Sequence, residues 1–325
     1  MTENRSVQEI CAEYLGMSVL EVERAASKAP TSYKRYSVRK RSGHGWRTIY
    51  HPARPTKALQ HALVETLTHM MQVHDGAVAY RRGLHSPLKT NALIHAPFQF
   101  TVRVDLREFF PSILPQDCFP LFAQSCVLDR ALRTRERDFI EHAAFVSVGG
   151  HLQLPIGAPS SPSLSNAVMY RVDQELSGFA EGKDGVYTRY ADDLILSCNY
   201  ARECGAFVGF VERVLDEMTS PSLAVNESKT RYMSRGTRRP ITGVIATPEG
   251  GISLGRGRKR LLRSMVHRYV QYSNWERDLN KKQREHLAGL LAFVLDVEPD
   301  FYNRLALKYG ARPVNSALHA KRRSR

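Results

Sequence analysis

Apolar residues recur at helical spacing from Val7 to Ala29, and Gly16 interrupts the run, which predicts two short helices. The pair reads either as a helix-turn-helix or as a helical cap, since nothing marks a recognition helix. From 33 to 52, "YKRYSVRKRSGHGWRTIYHP" alternates basic and apolar residues about "SGHG", the pattern of a basic β-hairpin with a glycine turn. Leu59, Leu63, Leu67 and Met70 then mark a helix over 55–74. In "FQFTVRVD", Phe98, Phe100, Val102 and Val104 share one face of a strand, while Gln99, Thr101, Arg103 and Asp105 share the other. A charge-rich helix is expected at 129–145. Next, "GGHLQLPIGAPSSPSLSNAVMYRVDQEL" passes from a Gly/Pro-punctuated loop to a helix striped by Leu164, Val168, Val172 and Leu176. "KDG" turns the chain into "VYTRY" and "LILSC", two strands flanking "ADD". A helix at 201–218, a short strand at "ITGVIAT" and a basic helical region from 256 complete the pattern. Helices and strands mix with no repeat and no steady βαβ rhythm, which favours an antiparallel α+β core.

Composition narrows the classes. The chain has 325 residues, enough for two or three packed subdomains. Lysine and arginine number 47 against 32 acidic residues, a formal net charge of +15, while 42% of residues are apolar. A folded, strongly basic protein implies a polyanionic partner, by default nucleic acid. No stretch of ~18 apolar residues predicts a membrane span, and "MTENRSVQEI" lacks the features of a signal peptide, so a cytoplasmic protein is expected. The cysteines, Cys11, Cys118, Cys126, Cys198 and Cys204, include no C-x-x-C pair, so they read as reduced, mostly buried thiols. Any metal must then be held by oxygen.

Asp192 and Asp193 would fall side by side at a hairpin, where turn geometry frees both carboxylates from strict strand alternation. Alone, such a pair is ordinary turn chemistry. A second acidic strand end, Asp105, changes its meaning in a protein that handles phosphate backbones. Convergent carboxylates suit Mg²⁺, a hard cation that takes oxygen ligands. Two such ions about 3.5 to 4 Å apart would serve in-line phosphoryl displacement.

"YADD" after an apolar strand, "DLREFFPSI" before it and "LPIGAPSSPSLSN" between them resemble the palm motifs of reverse transcriptases. "NALIH" at 91–95 and "ITG" at 241–243 are similar to elements of retron reverse transcriptases, and "RTIYHP" at 47–52 to a fingers motif. The resemblance runs over roughly 33–270. It implies an α+β right-hand polymerase fold of fingers, palm with an antiparallel sheet, and helical thumb. The implied bounds are 1–30 for an N-terminal helical segment, 31–97 for the fingers, 98–250 for the palm with a fingers insertion at about 118–150, and 251–325 for the thumb and tail.

By the same resemblance, Asp105, Asp192 and Asp193 are catalytic and hold two Mg²⁺ ions. Phe110, five residues past Asp105, would crowd the sugar 2′ position, with Phe109 the alternative. Arg47 would reach the triphosphate, or be a solvated arginine. Lys229 in "NESKT" would sit near the leaving pyrophosphate, and Ile156 and Gly157 beneath the templating pair. Ile156 stands where retron and most other reverse transcriptases have glutamine; an aliphatic residue there resembles the enzymes of diversity-generating retroelements and puts ordinary fidelity in question. Asn91, His95, Thr242 and Gly243 would help recognise a structured RNA, although His95 reads equally as a hydrogen-bonded structural residue. Arg256, Arg258, Lys259, Arg260 and Arg263 would grip duplex backbone.

The implied activity is an RNA-directed DNA polymerase that uses deoxynucleoside triphosphates to copy part of its cognate non-coding RNA into single-stranded multicopy DNA. The resemblance further implies priming from a guanosine 2′-OH, a branched RNA–DNA product (msDNA), and antiphage defence beside a separate effector protein. A diversity-generating or group II intron enzyme is the rival. Only about 75 residues follow Gly250, few for an intron maturase with an endonuclease. A non-catalytic RNA-binding scaffold is the alternative of another class.

Overall fold

The computed structural model describes residues 5–39, 45–123, 132–218, 220–271 and 280–319. Most of the expected "SGHG" turn, Cys126, part of the 118–150 insertion and the basic tail lie outside the described residues. The chain forms two compact units, one of Met1–Arg82, Val102–Leu196 and Arg202–Arg231, the other of Gly83–Thr101, Ser197–Ala201 and Tyr232–Arg325.

The first unit opens with helices Val7–Leu15 and Val19–Lys28, each started by a capping box, Ser6 with Glu9 and Ser18 with Glu21. In both, the serine hydroxyl accepts from the glutamate amide and the carboxylate accepts from the serine amide, satisfying donors the helix cannot. Gly16 ends the first helix at φ 64, a left-handed value that a residue without Cβ adopts freely. Both helices pack on Arg54–Thr68, where Leu59, Leu63 and Leu67 are buried, and on Thr134–Ala144. The basic hairpin forms as Tyr33–Arg39 and Trp46–Pro52, antiparallel, in register from Tyr33 opposite Pro52 to Arg39 opposite Trp46.

A four-stranded sheet orders Val186–Tyr190, Asp193–Cys198, Phe100–Asp105 and Arg231–Ser234. Phe100–Asp105 is therefore an inner strand, and the polar face expected for it is solvated only in part, with Gln99 exposed and Arg103 half-buried. Thr101 and Asp105 are buried along with Val102 and Val104. The expected helix through Leu164, Val168, Val172 and Leu176 forms as two, Ser160–Val168 and Tyr170–Glu181, and buries all four side chains. Truncating Leu164 or Leu176 to alanine should cost about 2–5 kcal/mol. Helix Ala201–Glu217 brings Phe207 to 6.2 Å from the ring of Tyr187 and 5.6 Å from that of Phe179.

In the second unit, helix Pro87–His95 packs on a three-stranded sheet ordered Ile252–Ser253, Val244–Ala246, Arg239–Ile241. The single strand expected at "ITGVIAT" is instead a hairpin. Ile241 pairs with Val244, and Thr242 and Gly243 turn the chain with φ of 47 and 85, the positive pair that a two-residue turn demands. Helices Arg256–Gln271, Lys281–Val297, Pro299–Tyr309 and Ala311–Leu318 then pack on one another. Cys11, Cys118, Cys198 and Cys204 are buried free thiols. No described helix is long and apolar enough to cross a membrane.

Candidate active site

Asp105 ends an inner strand of the first unit, and Asp192 lies in the two-residue link between the next two strands. The Leu106 amide donates to the Asp192 carbonyl at 3.1 Å, which sets the two acids on adjoining backbone. Asp193 begins the following strand, and its Oδ1 lies 3.6 Å from Arg103 Nε, an ion pair too long for a hydrogen bond. Asp105 has closer partners. Lys229 Nζ donates to its two carboxylate oxygens at 2.7 and 3.0 Å, and Asn226 Nδ2 donates to Oδ1 at 3.0 Å.

The three carboxylates are electrostatically in conflict. Burial, and then repulsion from Asp105, raises the Asp192 carboxyl above its ordinary range. Burial pushes Asp193 up to about 6, with Arg103 pulling the other way and Asp192 and Asp105 adding to the rise. Such a set, all oxygen and short of positive charge, suits a hard divalent cation. Among the described residues, no three His, Cys, Asp or Glu side chains converge closely enough to hold an ion as they stand. Lys229 is paired with Asp105, and Arg103 lies beside Asp193.

Asp192 lines a cleft of about 710 Å³ whose walls also include Arg47, Tyr80, Phe110, Ile156, Asn226 and Lys229. Arg47, on the basic hairpin, is near enough to oppose the rise at Asp192. Phe109 is buried, and Phe110 is half-exposed at the cleft with its ring 5.2 Å away at 65°. Gly157 has φ 109, and a Cβ there would come within 2.9 Å of Ile49 and 3.2 Å of the Tyr50 carbonyl. The Tyr50 amide donates to the Ile156 carbonyl at 2.8 Å, so this loop is stitched to the hairpin and only glycine fits it.

In the second unit, Asn91 and His95 are wholly buried, so neither presents atoms to an RNA. This corrects their expected place on a contact surface. His95 Nδ1 pairs with the Ser197 hydroxyl at 2.9 Å, which pairs with Thr101 at 2.7 Å. Burial, then the Arg239 charge, pushes the imidazole down to about 3, so it is neutral. Thr242 donates to the Leu88 carbonyl at 3.2 Å, and Gly243 accepts from Arg258 at 2.6 Å. On helix Arg256–Gln271, Arg258 also lies over the Phe293 ring, Lys259 pairs with Glu298, and Arg263 lies over Phe301. Arg256, Arg260 and Arg263 are exposed.

Several residues of the site had not been singled out. Arg103 sits two before Asp105 on the same strand face, and Asn226 three before Lys229; both spacings carry a signal. Asp173, Arg189 and Asn166, which meet behind the Asp192 link, carry none locally except that an arginine in an apolar strand is unusual.

A family model described as reverse transcriptase (RNA-dependent DNA polymerase) matches residues 38–274. The chain is 34% identical over 294 residues to the Retron Ec83 reverse transcriptase of Escherichia coli, covering 89% of this chain and 91% of that one. It is 31% identical to the Retron Ec73 reverse transcriptase of Escherichia coli, over 87% and 88% of the two chains. Among solved structures, the telomerase of Candida albicans in complex with a TWJ fragment of telomeric RNA is similar with a TM-score of 0.44 and 14% identity. The match covers 88% of this chain and 58% of that one, less than two thirds of its length.

Proposed function

The chain belongs to the reverse transcriptase (RNA-dependent DNA polymerase) family, and from that premise we propose that it copies part of its own structured non-coding RNA into single-stranded DNA. It is an RNA-directed DNA polymerase of retron type with an α+β right-hand polymerase fold. The observation that carries the site assignment is the Leu106–Asp192 hydrogen bond, which sets Asp105 beside the Asp192–Asp193 pair, with Asp192 in the cleft wall.

In this reading, Asp105, Asp192 and Asp193 would hold two Mg²⁺ ions, which when bound would stabilise the attacking and leaving oxygens. The primer hydroxyl oxygen gives up its proton to solvent and bonds to the α-phosphorus of a deoxynucleoside triphosphate, the bond from that phosphorus to the β-bridging oxygen breaks, and pyrophosphate leaves. Arg47 offers its guanidinium fork to the triphosphate. Phe110 closes the space a 2′-hydroxyl would need. Ile156 and Gly157 lie under the new base pair. Lys229, now on Asp105, would leave that carboxylate to meet charge on the departing pyrophosphate. The relayed lysine reconciles two facts, a carboxylate set suited to metal and an Asp105 already paired.

We assign 31–97 to fingers, 98–250 to palm with its insertion at 118–150, and 251–325 to thumb, after an N-terminal helical segment. Arg256, Arg260 and Arg263 would face duplex backbone, with Arg258 and Lys259 fixing the helix behind them and Thr242–Gly243 placing its start. The resemblance to retron enzymes supports priming from a guanosine 2′-OH, a branched msDNA product, and a cytoplasmic role in phage defence beside a separate effector. Sequencing the nucleic acid that copurifies with the protein tests this. A DNA strand joined to a structured RNA and released by a 2′,5′-debranching enzyme is expected; unrelated cellular RNA alone would refute it.

A further inference from the structure

The Ala191–Asp192 link holds a backbone that its own residues do not favour. Ala191 has φ 58, in the left-handed region where a side chain is strained. Strain of this kind persists only where surrounding structure imposes it. Here the surroundings are specific. Asp192 has a peptide on either side. The following one is held through its carbonyl by the Leu106 amide at 3.1 Å. The preceding one is held through the Ala191 carbonyl, which accepts from Arg189 Nη1 at 3.3 Å.

Arg189 is itself immobilised. Its Nε and Nη2 donate to the two oxygens of Asp173 at 2.8 and 2.7 Å, and both side chains have zero exposure. Tyr187 donates to the same carboxylate at 2.7 Å. Nη1 also donates to Asn166 Oδ1 at 3.0 Å, while Asn166 Nδ2 donates to the Ala79 carbonyl at 2.8 Å. The guanidinium is therefore fixed on three sides, and a remaining N–H reaches the peptide before Asp192.

We propose that Arg189, oriented by Asp173 and Asn166, is a positioning residue that sets the Asp192 carboxylate by fixing the peptide before it. The proposal rests on the assignment of Asp192 to the metal-binding set. A buried ion pair is weak grounds for stability, since apolar residues of like volume often serve as well. What an apolar pair cannot do is hold the Ala191 carbonyl. Rotation of that peptide would swing Asp192, and misplacement of a reacting group by about 1 Å can slow a reaction about a hundredfold.

The test uses the full chain as an Asp173→Leu/Arg189→Met double variant, with Arg189→Lys as a second. Lysine retains a charge for Asp173 but cannot fork to Asn166 and Ala191 together. Both are checked by thermal melting and by steady-state incorporation of one deoxynucleotide. The expected result is a folded protein whose kcat falls about 10- to 100-fold, with KM for the nucleotide within about twofold. A folded variant with wild-type kcat, or a loss confined to KM, overturns the proposal. So does failure of both variants to fold, which would make the pair a folding determinant. An Asp192→Asn control separates the two readings: if it stays active, the site assignment fails; if it is dead while the Arg189 variants are fully active, only the positioning role fails.

Discussion

Two groups of carboxylate lie close together in the first unit, and they are treated in opposite ways. Asp173 is wholly enclosed, yet its oxygens accept two hydrogen bonds from Arg189 and one from Tyr187. Asp192 and Asp193 are only half-buried, yet their carboxyls are pushed up because burial and like charge outweigh the cations nearby. The first group is balanced within the fold. The second is balanced only if something positive arrives from outside. Unmatched charge at a cleft wall thus marks where a ligand completes the electrostatics, whereas matched charge marks architecture.

The largest effect that would break this contrast is on chemistry. Asp192→Asn with Asp193→Asn should abolish primer extension, by at least about a thousandfold given the several kcal/mol that metal-held charge contributes. The same change relieves repulsion, so the metal-free protein should melt no lower than the parent. A variant that keeps its polymerase activity, or that unfolds, would put these acids in the architectural class.

Next in size is the reverse experiment. Asp173→Asn leaves Arg189 buried without a counter-charge, which typically costs about 3–5 kcal/mol. Chemical denaturation should show that loss. If stability is unchanged, the pair is not the balanced group described above.

How much of this contrast could be read from the chain depends on distance along it. The stripe of Leu164, Val168, Val172 and Leu176 was legible because helical spacing is local, although the break between the two helices at Met169 was not. The retron motifs, and with them the right-hand fold, were legible because their order survives in one sequence. "ITGVIAT" was read as one strand because a Thr-Gly turn is a weaker signal than Asn-Gly. The alternation of Phe100–Asp105 marked a polar face, but a period-two pattern cannot report that Thr101 and Asp105 on that face are buried. Arg189 and Asp173 are far enough apart in sequence, and on different elements, that only coordinates join them. Asn91 and His95 were quoted as motif residues, and their burial was invisible for the same reason.

A smaller effect extends the comparison to the second unit. His95 is a buried polar group satisfied in neutral form by Ser197, with its ionisation pushed down to about 3. The folded state therefore binds a proton less readily than the unfolded chain, whose histidine titrates near 6.5. Its contribution to stability is complete above that value and is lost as pH falls from there toward about 3. The loss should reach roughly 2 kcal/mol by pH 5. Denaturation at pH 7.5 and 5 should show this step in the parent and not in His95→Gln. An equal step in both would mean that His95 is not the titrating group.

The smallest effect concerns cations on one helix. Arg258 is held by the Gly243 carbonyl and the Phe293 ring, and Lys259 by Glu298, whereas Arg260 is exposed. On the proposed reading, Arg260 is one of the charges left for an external phosphate. Each phosphate contact releases condensed counterions, so removing one should lower the slope of log affinity against log salt by about 0.7–0.9. Arg260→Ala should show that reduction in titrations with the copurified RNA between about 50 and 200 mM salt. Arg258→Ala should leave the slope alone and lower thermal stability instead. If Arg258 moves the slope and Arg260 does not, a charge with partners inside the protein is the one that meets RNA, and balance within the fold no longer separates architecture from function on this surface.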